Sequence, residues 1–160
     1  MNKNTNITLL SILALLTLSI FSAFIIEYGL GHKPCKLCLY QRYPYFISVF
    51  LILGIVIIKK YVKISLLILA LVSLFGSIIA FYHFGIEQGY FSESSVCEAD
   101  NLGQNLSKEE ILKQLSKNEI SCKTVTFRVF GLSLASINTI FSFVLFVIFL
   151  KLFKNYEVNK

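Results

Sequence analysis

The sequence contains no tryptophan, no internal repeat, no low-complexity tract and no linker long enough to divide it. Those absences exclude a repeat array and a string of separate domains, so residues 1–160 read as one unit. Polar residues are scarce as well. Hydrophobic residues make up 56% of the chain and the mean hydropathy is +0.72, against about 45–50% apolar residues in an ordinary domain. That shortage excludes a water-soluble globule. No A-x-A-like site follows the first apolar run, which is also longer than the roughly 7–15 apolar residues of a signal peptide. A retained first helix is therefore expected. In place of tryptophan the chain carries 15 Phe and 8 Tyr, suited to packing between spans and to anchoring at the membrane interface.

Four apolar runs account for the excess: Ile7–Ile26, Tyr43–Ile58, Ile64–Phe84 and Val129–Leu150. A membrane-spanning helix needs about 20 such residues, and the second run has only 16. As a helix it covers about 24 Å at 1.5 Å per residue, short of a hydrocarbon core of about 30 Å. Starting it near Cys38 cures the deficit and places Pro44 inside its first turns, where a kink is expected. The expected fold class is all-α, a membrane-embedded four-helix bundle. Its spans fall at about 7–26, 38–58, 64–84 and 129–150, and its outer loops at about 27–37 and 85–128. In the long loop, Ser107-Lys-Glu-Glu110 fits a capping box. It predicts a short amphipathic helix through about Asn118, lying on the membrane surface or forming a plain surface turn.

The net charge of +6 invites a nucleic-acid reading, which the positions of the charges oppose. Lys3, Lys59, Lys60, Lys63, Lys151, Lys154 and Lys160 fall on one side of a four-span chain, and cytoplasmic loops carry the Lys/Arg excess. Both termini are expected on the cytoplasmic side, and both cysteine-bearing loops on the other.

Four cysteines allow three pairings. Cys35 with Cys38 is the local pair, and it leaves Cys97 with Cys122. Three uses are open. A Cys97–Cys122 bridge closing about 26 residues would stabilise the loop by roughly 3.5 kcal/mol in the chain-entropy model. A C-x-x-C bridge constrains almost no chain, and its usual chemistry is thiol exchange. Zinc held by four cysteines fits poorly, because the second pair is 25 residues apart and the outer compartment favours disulfides; no metal is expected. A redox relay is the third use. Arg42 lies four residues after Cys38, on one face of a helix, and the helix start adds a positive dipole end. Both favour a thiolate.

The string Cys35-Lys-Leu-Cys38-Leu-Tyr-Gln41-Arg42, the four spans, Tyr82-His83-Phe-Gly-Ile-Glu87-Gln-Gly89 and Ser121-Cys122 leading to Gly131-Leu-Ser-Leu-Ala together resemble the DsbB-type disulfide bond formation proteins. The resemblance implies a multi-pass protein of the bacterial inner membrane with periplasmic cysteine loops. It implies an enzyme that reoxidises a soluble periplasmic dithiol oxidase, DsbA-like, and passes electrons to a membrane quinone, ubiquinone or menaquinone. Carried over, Cys97 forms the mixed disulfide with the partner, Cys122 attacks Cys35, and the freed Cys38 thiolate engages the quinone. Arg42 neutralises charge developing on the quinone, and His83 sits near the same pocket.

The plainer readings are that Arg42 snorkels to headgroups and His83 is a satisfied interfacial histidine. His32, in a turn, is expected to be incidental, and Gln41 to face water. Asn138, inside the fourth span, reads as an interhelical hydrogen bond. The competing class is a non-enzymatic tetraspan scaffold or receptor with static disulfides.

Overall fold

The computed structural model describes residues 3–92, 97, 121–123, 125, 127–129 and 131–158. The helix expected at 107–118 lies outside the described residues. Helix α1 (Lys3–Phe24) runs into a π-helical turn, Ile25–Gly29. Helices α2 (Lys36–Tyr40), α3 (Arg42–Ile58), α4 (Val62–Glu87) and α5 (Leu134–Val158) follow. Just before α5, β1 (Arg128–Val129) pairs antiparallel with β2 (Leu132–Ser133). Among the described residues, four helical stretches of 26, 23, 26 and 23 residues are long and apolar enough to cross a membrane. The architecture is an all-α bundle of membrane-spanning helices.

Hydrocarbon offers no hydrogen bonds, so every polar group in a span must be satisfied within the protein. In α1 the hydroxyls of Thr17, Ser19 and Ser22 bond back to the carbonyls of Leu13, Leu15 and Leu18 at 2.8, 2.9 and 2.8 Å. Large apolar side chains such as Phe21, Phe50, Phe75 and Ile140 stay exposed on the outer surface of the bundle, where lipid meets them.

Two boundaries differ from the apolar pattern. The second span begins two residues before Cys38 and is interrupted at a single residue. It starts at Lys36, breaks at Gln41 and resumes at Arg42. Pro44, in the first turn of α3, has no N–H for the preceding turn and crowds its carbonyls, so the helix resets ahead of it. The fourth span starts at Leu134 and not at Val129. Gly131 sits at φ +82°, which turns the hairpin, and Ser133 Oγ accepts the Ser136 N–H at 3.2 Å, capping α5.

Helix α4 packs most extensively against α5, and α3 lies between α1 and α4. A Cβ on Gly76 would stand 3.2 Å from Pro44 Cβ and 3.7 Å from Ser142 Oγ. Glycine lets α3 and α4 meet closely here, and a larger residue would press on Pro44. Two separate clusters are buried. One is aliphatic and aromatic, with Leu9, Leu16, Ile52, Ile55, Leu66, Leu69 and Phe149 near the 59–61 turn. The other, at the opposite end, holds Cys35, Leu37, Ile86, Cys97 and Cys122, with Cys38 packed against it.

Candidate functional site

Cys35 caps the short helix α2. Its backbone is extended (φ −72°, ψ 168°) and its sulfur accepts the Cys38 N–H at 3.3 Å. The sulfur at the positive end of the helix is thus Cys35, where the sequence favoured Cys38. The two sulfurs are 2.8 Å apart and unbonded. The hydrogen bond from Cys38 lowers the pKa of Cys35 most, with His83 adding to it, and together they overcome the burial that pushes a thiol up. The Cys35 pKa falls to about 5.

Cys97 and Cys122 form a disulfide with Cα atoms 5.3 Å apart, and both are buried. The decisive proximity lies between the pairs. The sulfurs of Cys35 and Cys122 and a ring nitrogen of His83 are all within 4.8 Å of one another. Chain segments 87 residues apart therefore bring their sulfurs to one point at the head of the bundle.

From that point a polar chain runs inward. His83 Nε2 is 3.5 Å from Cys35 Sγ, and Gln41 Nε2 donates to His83 Nδ1 at 2.8 Å. Asn138 Nδ2 donates to Gln41 Oε1 at 2.5 Å. The Tyr45 hydroxyl donates to Asn138 Oδ1, which also accepts from Ser142 Oγ at 3.2 Å. The members of this polar chain come from the break before α3 (Gln41), the first turn of α3 (Tyr45), the last turns of α4 (His83) and the first turns of α5 (Asn138, Ser142). Asn138 makes the interhelical bonds expected of a lone amide in an apolar span. Gln41, expected to face water, is 6% exposed. The interruption ahead of Pro44 turns it inward, where burial forces both ends of its amide to find partners.

Arg42 neither snorkels outward nor points at sulfur. Its Nη1 donates to Glu27 Oε2 at 2.6 Å, and its guanidinium lies over the Phe24 ring at 5.2 Å from the centroid. The π-helical turn that ends the first span holds Glu27 in place. Glu87, one turn beyond His83 on α4, has Oε1 at 3.7 Å from His83 Nε2 and a side chain only 5% exposed. Sequence reading assigned no role to Glu27, Glu87 or Tyr45. The available signal for Glu87 was its i+4 spacing from His83 at a span end; for Glu27 it was an acid just past an apolar run, facing an arginine.

A cavity of about 490 Å³ opens beneath the sulfurs. Cys35, Cys38, Gln41, Arg42, His83, Glu87 and Asn138 line it, with Leu18, Ala23, Ile26 and Phe141 forming apolar walls. His32 lines it too, its ring 5.2 Å from that of Phe127, so it is part of the rim. Size and lining match a site for a flat, partly polar small molecule.

Against known proteins, the chain matches the family described as disulfide bond formation protein DsbB over residues 4–152. It is also 31% identical to an uncharacterized protein of Rickettsia prowazekii (strain Madrid E) over 140 residues, which covers 84% of this chain and 81% of the other.

Proposed function

The chain belongs to the DsbB family of membrane proteins that form disulfide bonds, and from that premise we propose that it reoxidises a soluble periplasmic dithiol oxidase of the DsbA kind and delivers the electrons to a membrane quinone. It acts in the bacterial inner membrane, with both termini cytoplasmic and the cysteine loops periplasmic. The lysine-rich turn at 59–63 and the cysteine cluster lie at opposite ends of the bundle, which supports that orientation.

The single observation carrying this reading is the approach of the Cys122 and Cys35 sulfurs, within 4.8 Å. Exchange needs a thiolate beside the disulfide it attacks. A reduced partner attacks Cys97, forming a mixed disulfide and releasing the Cys122 thiolate. Cys122 then attacks Cys35 of the oxidised Cys35–Cys38 pair and releases the Cys38 thiolate. The partner's second thiolate attacks its own sulfur of the mixed disulfide, so the partner leaves oxidised and Cys97 is freed. Cys97 attacks Cys122, and Cys35 departs. Two electrons have moved from the partner dithiol to Cys35 and Cys38. A thiol of low pKa is the better leaving group, and Cys35, at about 5, suits that last step. Cys97 bonded to Cys122, with Cys35 and Cys38 as thiols, is the arrangement at its end.

The cavity fits a quinone head group in size, and Cys35, Cys38, Gln41, Arg42, His83 and Glu87 are part of its lining. Arg42 and His83 would hold ubiquinone or menaquinone there, which when bound supplies the two-electron acceptor. Arg42, fixed on the wall by Glu27 and Phe24, sets a positive charge where anionic character develops.

The test is trapping during turnover. With a reduced partner and quinone present, Cys38→Ser leaves Cys122 no Cys35–Cys38 disulfide to attack, so electrons should stop at the partner–Cys97 mixed disulfide or at the Cys97 and Cys122 thiols, and a visible thiolate–quinone absorption should disappear. A scaffold would keep static disulfides throughout. Unchanged quinone reduction by Cys38→Ser would overturn the assignment.

A further inference from the structure

Cys35 and Cys38 share the head of the cavity with two other metal-binding side chains. His83 Nε2 faces Cys35 Sγ at 3.5 Å and Glu87 Oε1 at 3.7 Å. Glu87 Oε2 is buried and has no hydrogen-bond partner among the described residues. A buried carboxylate oxygen without a partner is costly, so Glu87 points to a group that would meet it there. Of the two cationic side chains that line the cavity, Arg42 and Lys33, Arg42 is already held by Glu27 at 2.6 Å.

We propose that the dithiol form of Cys35 and Cys38, with His83 and Glu87, binds one zinc-like divalent cation, and that the bound cation holds the pair reduced. Two thiolates, an imidazole and a carboxylate are donors zinc takes in fours. Tetrahedral zinc with Zn–S of about 2.3 Å and Zn–N and Zn–O of about 2.0–2.2 Å requires sulfur–nitrogen gaps of about 3.6 Å and nitrogen–oxygen gaps of about 3.4 Å. The gaps present are 3.5 and 3.7 Å. The sulfurs, at 2.8 Å, must separate to about 3.8 Å, and Cys38 and Glu87 must turn in toward Cys35 and His83, which already lie within 4.8 Å of each other. Cys122 lies close enough to be a fifth donor, but its bond to Cys97 leaves it no thiolate to offer.

Binding forms two metal–sulfur bonds and expels the remaining thiol protons. No electron moves, since zinc has no redox chemistry. The disulfide form has no thiolate and does not bind. Occupancy therefore depends on the redox state of this pair alone. Binding stands on the geometry; the block on electron flow rests on the thiol-oxidase reading above.

The test uses purified full-length protein in detergent, reduced anaerobically with a phosphine, beside a Cys97→Ser/Cys122→Ser host that leaves only the inner thiols. Cobalt(II) should bind at one equivalent, with sulfur-to-cobalt charge transfer and tetrahedral d–d bands that zinc abolishes. Glu87→Gln and His83→Ala should each weaken zinc binding by about 10–100-fold. X-ray absorption on the unmutated protein, which needs no variant to fold, should count two sulfur and two nitrogen or oxygen neighbours. No binding, more than one equivalent, all-sulfur coordination or unchanged affinity in both variants would overturn the site. Oxidation of the metal-free dithiol by a soluble quinone is measured alongside. If it fails while the cobalt spectrum is intact, the oxidase reading falls and the site stands. If it proceeds at full rate with zinc bound, the lock falls.

Discussion

Replacing Gln41 with leucine tests whether the inward polar chain exists in the membrane. Leucine has nearly the same volume, so the change opens little cavity and isolates the hydrogen bonds. Two are lost: the donation to His83 Nδ1 at 2.8 Å and the acceptance from Asn138 Nδ2 at 2.5 Å. In water-soluble cores, each polar group left unpaired costs about 1–3 kcal/mol, giving about 2–6 for the two. Interhelical hydrogen bonds within membranes are worth less, averaging about 0.6 kcal/mol with a maximum near 1.7, which gives about 1–3. The membrane figure applies, because the unfolded chain in lipid also finds partners for its polar groups. Gln41→Leu should therefore lose about 1–3 kcal/mol, read from the unfolding midpoint in mixed detergent and SDS micelles. Asn138→Leu should lose a similar amount, and the double variant less than the sum, since they share a bond. A loss below about 0.3 kcal/mol in Gln41→Leu, or strict additivity with Asn138→Leu, would refute the chain.

Alkylation of Cys35 in the reduced protein should follow a thiolate midpoint near pH 5, about 99% ionised at pH 7 against about 3% for a free cysteine. Cys38→Ala removes the principal hydrogen bond and should raise that midpoint; an unshifted value near 8–9 in the unmutated protein would contradict the geometry. Because the folded value is depressed, the reduced form should gain stability as pH rises from about 5 to the unfolded thiol's value of about 8.5, and lose it on acidification. Gly54 has open space around its Cα and Gly76 does not. Alanine at position 54 should stabilise by about 0.5–1 kcal/mol, and alanine at position 76 should fall about 1–3 kcal/mol below it through overpacking against Pro44; equal melting would show that the helices yield there. Glu27→Gln, Arg42→Gln and their double variant should give a coupling of about 1–2 kcal/mol, between exposed pairs and charge-assisted buried bonds. Zero coupling would place Arg42 elsewhere.

The four spans and the C-x-x-C were legible because lipid and thiol chemistry each leave a local signature: a run of apolar residues, or two cysteines one turn apart. Asn138 was legible for the same reason, since a lone amide in a span has to be met by another helix. What stayed hidden depends on partners remote in sequence. Gln41 is buried because Asn138, 97 residues away, receives its amide, and no local pattern announces that. Arg42 finds Glu27 across the loop that joins the first two spans, a pairing that exists only once the π-helical turn has formed. The start of α5 was misplaced because Val129, Phe130 and Leu132 are as apolar as the span they precede; Gly131 at positive φ and the Ser133 cap were the quieter signals. The break at Gln41 falls three residues before the proline that causes it, because proline acts on the carbonyls of the turn behind it.

The two buried clusters have no residue in common. One is a greasy foundation between α1, α3, α4 and α5, and the other a head built around sulfur. In the proposed exchange, covalent bonds are made and broken only in the head. The foundation never has to loosen for a cycle to complete, so the protein can pass between bridged and open forms without baring its backbone to hydrocarbon.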